Sequence, residues 1–330
     1  MNTSFQKILI IQTAFIGDVI LATSLVESLV REFPKAKMDM LVRKGNDHLI
    51  QNNPHINEVL IWNKQDKKYR SLFQLVKKIK KSKYDLVINT QRFGATGLLT
   101  ALSGAKVTSG FKKNPFSFKF SHSIEHNLSS GLHEVERNQL LIASITDEVA
   151  RKPKLYPSID DYDFVKQFQL GDYVCMAPAS VWFTKQLPKQ KWLELIQQYK
   201  SSNMFVYLLG GPNDVINNDY IQASAFQNNV VNLAGKLSFL ESAALMASAK
   251  MNYVNDSGPL HMASAMNAPV TAFFCSTIPA FGFGPLSDNA QVIEVKATLN
   301  CRPCGIHGFK ACPKKHFKCG HDIEIPVISN

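Results

Sequence analysis

No run of roughly 18 or more apolar residues occurs in this 330-residue chain, which excludes a helix that spans a bilayer. The first twelve residues carry one lysine and pass directly into an apolar run. They lack a charged n-region, a long apolar centre and a cleavage site, so the expected location is the cytoplasm. Two nucleotide-binding signatures are missing. No G-x-G-x-x-G follows the first apolar run, which disfavours dinucleotide binding, and no G-x-x-x-x-G-K-[ST] occurs, which excludes P-loop phosphoryl transfer. Cysteine is sparse outside the last thirty residues. Only Cys175 and Cys275 lie before them, both in apolar runs, and they read as buried, inert thiols. Low-complexity tracts and repeats of solenoid period are absent.

What is present describes a globular protein with 45% hydrophobic and 19% charged residues, long enough for two domains. The net charge of +11 is unevenly spread. Residues 1–160 hold 24 Lys and Arg against 14 Asp and Glu, while residues 161–330 hold 13 against 12. The first half therefore suits an anionic partner: nucleic acid, an anionic lipid surface or an acidic saccharide.

Short apolar runs alternate with helical patterns. Lys7–Gln12, Met38–Val42, Glu58–Trp62, Tyr84–Asn89 and Val107–Phe111 read as strands, with helices after Asp18, over Tyr69–Ser82, up to Leu102 and over His133–Ile145. Lys112–Glu125 reads as a polar, Phe-rich, mobile loop, and Arg151–Tyr162, with Pro153 and Pro157, as a linker. The alternation then restarts, with strands at Tyr173–Ala177, Met204–Leu209, Val230–Leu233, Met251–Val254 and Val270–Phe274. The expectation is an α/β protein of two Rossmann-like halves facing each other across a cleft, residues 1–155 and 156–330, with ligands beyond the C-terminal strand ends. The helix at Tyr69–Ser82 has a basic face (Arg70, Lys77, Lys78, Lys80, Lys81, with Lys83 just after), preceded by Lys64, Lys67 and Lys68. A solvated face and a membrane-surface helix both fit it. The latter lacks a Trp or Phe anchor on the polar side in this reading.

The most informative turn is Asn255-Asp256-Ser257-Gly258-Pro259-Leu260-His261, where a buried strand passes into a helix. Backbone N–H groups and the positive end of the dipole make such a turn suited to an anion, and Ser257 and His261 can add donors. Gly258 permits close approach and Pro259 suits the first helical turn. An ordinary capped helix gives the same pattern. Asp18, in the turn after the first strand, could act as a general base or simply cap the helix behind it. The D-x-D of Asp161-Tyr162-Asp163 reads as a helix start.

Taken in order, Lys7-Ile-Leu-Ile-Ile-Gln-Thr-Ala-Phe-Ile-Gly-Asp18, Tyr84-Asp-Leu-Val-Ile-Asn89, His133-Glu-Val-Glu-Arg-Asn138, Lys185-Gln-Leu-Pro-Lys-Gln-Lys-Trp192, Leu209-Gly-Gly-Pro212, Asn232-Leu-Ala-Gly-Lys-Leu-Ser238 and Asp256-Ser-Gly-Pro-Leu-His261 resemble glycosyltransferase family 9, the heptosyltransferases of lipopolysaccharide assembly. The cysteine-bearing tail resembles the branch that adds the second heptose. The resemblance implies a GT-B fold and inverting, metal-independent transfer from an ADP-heptose to a lipopolysaccharide core acceptor. It implies Asp18 as base and Lys185 as the charge opposite the departing diphosphate. Ser257, Gly258 and His261 would hold phosphates, and Asp256 the sugar or the loop. Ser180, Gly211 and Leu237 fall where the family meets phosphate, nucleotide or base. Asn213-Asp214 stands where a glutamate is common. Arg92 and Lys112 are the acceptor-side candidates. No cofactor and no nucleic acid are implied, and the acceptor's lipid implies a peripheral position at the inner face of the cytoplasmic membrane. Cys301, Cys304, Cys312 and Cys319, with His307, His316 and His321 among them, have spacing compatible with structural zinc, with buried thiols or with an opportunistic disulfide.

Overall fold

The all-apolar stretch Ile8-Leu-Ile-Ile11 can be satisfied only by a strand covered on both faces, and these four side chains are fully buried. It forms most of β1 (Lys7–Ile11), followed by α1 (Ile16–Glu32), β2 (Lys37–Arg43), β3 (Ile56–Trp62), α2 (Lys68–Ser82), β4 (Leu86–Asn89), α3 (Gly94–Ala101), β5 (Val107–Phe111), β6 (His122–Ile124) and α4 (Glu134–Gln139). The computed structural model describes residues 5–64, 68–147 and 149–328. Lys67 of the basic run therefore lies outside the described residues.

The chain divides into two compact units, Met1–Tyr156 and Pro157–Asn330. The second unit begins with α5 (Ile159–Val165) and continues with β7 (Tyr173–Ala177), α6 (Lys189–Gln197), β8 (Phe205–Leu208), α7 (Val215–Ala225) and β9 (Val230–Asn232). It ends with α8 (Phe239–Ser248), β10 (Met251–Asn255), α9 (Gly258–Ala265), β11 (Val270–Phe274), β12 (Ala290–Glu294) and α10 (Lys318–His321). Each unit holds one six-stranded sheet, in the order β3-β2-β1-β4-β5-β6 and β12-β11-β10-β7-β8-β9. All pairings are parallel. Read from β9, the second sheet repeats the order of the first. These are two Rossmann-like units, the components of a GT-B fold. Each has its switch point where the chain reverses direction across the sheet, at β1/β4 and at β7/β10.

The structure departs from the sequence reading at four places. The 112–125 segment is not a plain loop, because His122–Ile124 adds to the sheet as β6, parallel to β5. The 133–145 helix stops at Gln139, and the chain goes on through turns. The linker is shorter than 151–162, since Ser158 caps α5. Strand β12 was missed because Ala290–Glu294 is only partly covered and lacks a continuous apolar run.

Candidate active site

The β10–α9 turn is built around Asn255. Its Oδ1 accepts from Leu187 N at 2.9 Å and its Nδ2 donates to Pro178 O at 2.7 Å. One fully buried amide thus ties both ends of the segment after β7 to the end of β10. That segment carries Ser180 and Lys185. Gln186 adds a bond from Nε2 to Ser180 O at 2.6 Å.

Held this way, Lys185 places Nζ 2.7 Å from Asp256 Oδ2, and both side chains are largely buried. Thr277 Oγ1 donates to the same oxygen at 2.6 Å. Asp256 therefore orders the loop and fixes the lysine. The α9 N-terminus begins at Gly258, with Pro259 beside it and Ser257 as an extended N-cap. The Ser257 hydroxyl does not close the cap; it lies 3.4 Å from Asn255 O. His261 is buried one turn along, its ring edge-on to Phe283.

The tail supports the same turn. Thr184 N donates to Phe309 O at 3.1 Å, and Phe309 N donates to Thr184 Oγ1 at 2.8 Å. Gly308 sits at φ +75°, where a Cβ would come within 2.9 Å of Thr184 Oγ1 and 3.0 Å of Lys185 Cγ. Arg302 holds the base of the tail through bonds to the carbonyls of Phe274, Cys275 and Thr277 and a contact with Glu294. The four tail cysteines are free thiols, Cys319 buried and Cys312 packed on the core cluster. Among the described residues no group of three or more His, Cys, Asp or Glu is placed to hold a metal ion.

Of the other donor-side candidates, Gly211 is exposed, and its N–H donates to Asp214 Oδ2 at 2.8 Å. Asp214, the residue at the expected glutamate position, is therefore a turn cap. Leu237 is half-buried immediately before Ser238, the N-cap of α8. Ser180 is half-buried.

In the first unit, Asp18 is half-buried in the first turn of α1, and its Oδ2 accepts from Phe15 N at 3.1 Å. The capping role is real, and it orients the carboxylate at the end of β1. Arg92 follows β4, exposed, its guanidinium 5.6 Å from the Phe93 ring centroid. Lys112 follows β5, exposed, 4.0 Å from Glu125. All three lie at the C-terminal edge of one sheet. Sequence reasoning missed a pocket at this edge, of about 270 Å³, lined by Thr13, Trp62, Lys64, Phe93, Ala95 and Thr96. Lys64 Nζ donates to Thr13 O at 2.7 Å and lies over the Trp62 ring. A cation after an aromatic strand end was the available signal.

The His133–Asn138 motif does structural work. Arg137 is buried and bonds to Glu134 Oε2 through Nε at 2.8 Å and to the Leu132 carbonyl; His126 lies 3.3 Å from the same carboxylate. Burial alone would raise the Glu134 pKa, but His126 and Arg137 outweigh it and hold the carboxyl below its ordinary range. The D-x-D reading holds as a cap, with Asp161 Oδ2 accepting from Ser158 N and Oγ at 2.7 Å each.

Two Rossmann-like units, each with polar groups at its switch point, form a GT-B architecture, and comparison with known proteins supplies the class. Residues 72–310 match the model of glycosyltransferase family 9 (heptosyltransferase). The chain belongs to that family and is a glycosyltransferase. Lipopolysaccharide heptosyltransferase 3 of Escherichia coli is 28% identical over 83% of this chain and 85% of its own. Lipopolysaccharide heptosyltransferase 1 of Pseudomonas aeruginosa is 25% identical over 91% and 86%. The solved structure of E. coli ADP-heptose lps heptosyltransferase II matches with a TM-score of 0.78 at 22% identity, over 95% of this chain and 97% of that one.

Proposed function

We propose that this enzyme transfers a heptose from its ADP derivative to the inner core of lipopolysaccharide, with inversion at the anomeric carbon and without a metal ion. The observation that carries the reading is the Lys185–Asp256 pair at the α9 N-terminus. A lysine oriented by a buried carboxylate, beside a positive helix end, offers stabilisation to charge that develops on a departing diphosphate. The names of the relatives support heptose as the sugar, lipopolysaccharide as the acceptor class and ADP as the carrier.

In this reaction an acceptor hydroxyl oxygen attacks the anomeric carbon while its proton passes to the Asp18 carboxylate. The bond from that carbon to the β-phosphate oxygen breaks, and its electron pair leaves with ADP. Lys185 and the α9 end meet the growing phosphate charge. Ser257, Gly258 and His261 line the phosphate path, with Ser180, Gly211 and Leu237 toward the nucleoside. Arg92 and Lys112 face the anionic acceptor. The acceptor's lipid places the enzyme at the inner face of the cytoplasmic membrane, and nucleic acid has no part. The tail cysteines act as packing thiols in this reading, with no structural zinc.

The test is a donor panel. ADP-heptose, UDP-GlcNAc and GDP-mannose are each incubated with a truncated core acceptor, with and without EDTA, and nucleotide release is measured. Release of ADP from ADP-heptose alone, unaffected by EDTA, is expected. Turnover only with another donor, or only with added divalent metal, overturns the assignment.

A further inference from the structure

We propose that the outer face of α2 carrying Tyr69, Phe73, Lys77 and Lys80 is a docking surface for an anionic phospholipid bilayer. This deepens the reading above and rests on its claim that the acceptor is held in a membrane. The inner face of α2 is complete, because Leu72, Leu75 and Ile79 are buried in the core of the first unit. Tyr69 and Phe73 are nevertheless 72% and 58% exposed. Exposed apolar residues are common one at a time. Here the two rings lie four residues apart and so share one side of the helix. That corrects the sequence reading, which found no aromatic anchor on this face.

The charge along the exposed part of the helix is one-sided, and Lys77 and Lys80 are the members that share the face of the rings. The helix contains no Asp or Glu, and Arg70, Lys77, Lys78, Lys80 and Lys81 are all exposed. Lys78 has an acidic partner in Glu58, at 2.5 Å. The helix dipole accounts for Lys80 and Lys81 in the last turn, but not for the rings or for Lys77. By helical rotation Tyr69, Phe73, Lys77 and Lys80 fall within about 80° of one another. Aromatic rings flanked by lysines are what a head-group layer selects: the rings enter the boundary with the acyl chains and the ammonium groups meet phosphate.

Position supports the same occupant. In a β–α–β crossover the helix starts at the C-terminal edge of the sheet, so Tyr69 and Phe73 belong to the end of α2 nearest that edge. Asp18, Arg92, Lys112 and the Trp62–Lys64 pocket share that edge, and Phe93 and Phe118 are exposed on the segments that follow β4 and β5. A bilayer at this face would present a lipid-anchored saccharide to the edge where the base lies. The excess of cations in residues 1–160 complements an anionic surface.

The test is co-sedimentation of the full chain with vesicles of phosphatidylethanolamine and phosphatidylglycerol, with phosphatidylcholine vesicles and a DNA duplex as competing arms. Preference for the anionic vesicles is expected. Tyr69→Ser/Phe73→Ser should weaken it about tenfold, and Lys77→Gln/Lys80→Gln by about twentyfold with a shallower salt dependence. Both variants should turn over a lipid-free acceptor as the parent does, which also shows that they are folded. Equal binding to phosphatidylcholine overturns the proposal. So does vesicle binding indifferent to both variants, or loss confined to the DNA arm. Failure of the parent on the lipid-free acceptor with ADP-heptose counts against the proposed donor and acceptor alone, since the vesicle arms contain no acceptor.

Discussion

The two units share a strand order yet treat their functional cations in opposite ways. In the second, Lys185 is largely buried, paired at 2.7 Å and braced by Asn255 and by the tail. In the first, Arg92 and Lys112 are exposed, each with a loose neighbour, a ring 5.6 Å away and a carboxylate at 4.0 Å. A diphosphate leaving group is the same in every turnover, so a rigid charge loses nothing to reorganisation. An acceptor rich in flexible anionic groups is better met by side chains that can move. In the proposed reaction the second unit meets the leaving group with a fixed charge, while the first adds mobile cations to the base Asp18.

That contrast predicts a ranking. Asp18→Asn should lower turnover about a thousandfold, the range of a lost general base. Asparagine can still accept from Phe15 N, so the melting temperature should hardly move; a mild kinetic effect would return Asp18 to a capping role. Lys185→Met should cost about a hundredfold in turnover. It should also destabilise the fold by about 3 kcal/mol, because Asp256 is left buried without its cation. The double variant Lys185→Met/Asp256→Asn should regain much of the stability but none of the activity. Denaturation and steady-state kinetics on both read the two effects apart.

Gly308→Ala should reduce turnover about tenfold and stability by about 2 kcal/mol, through strain at a positive φ and pressure on Lys185. Glu134 provides a check on the acid side. Its folded pKa is lowered, so its contribution is complete above the ordinary carboxylate value, near about 4.3, and is lost as pH falls through the folded value. The parent should lose melting temperature below that pH more steeply than Glu134→Gln. Smallest of all, Arg92→Gln or Lys112→Gln should raise the acceptor KM about threefold at low salt and less at high salt. A hundredfold effect from either would abolish the distinction between the two edges.

Much of this was legible before the fold. Strands fully covered on both faces, such as Ile8–Ile11, announce themselves as unbroken apolar runs, and five of the six strands in each sheet were found from runs of this kind or from shorter apolar stretches between turn residues. β6 and β12 were not: the edge strands β3 and β9 carry apolar runs that reveal them, whereas His122–Ile124 and Ala290–Glu294 are exposed or only partly covered and lack such a run. Lys185, well beyond the end of β7, was named only through the resemblance to glycosyltransferase family 9, whereas Asp18 and the Asp256–His261 turn could be singled out because each sits just past a strand end. The pairing of Lys185 with Asp256 could not, as it joins residues 71 apart and depends on Asn255, whose amide does its work through backbone partners. Exposure of Phe73 was equally hidden: helical spacing assigns a residue to a face, but whether another element covers that face is a tertiary fact.

Gly308 extends the reach of the last forty residues further than their sequence suggests. Because the tail backbone lies directly on the turn that carries Lys185, a shift of the tail at Gly308 or Phe309 moves the ammonium group on which the proposed reaction depends. Assays on shortened or tagged C-termini would then report a catalytic defect in an enzyme whose substrate-touching residues are all intact.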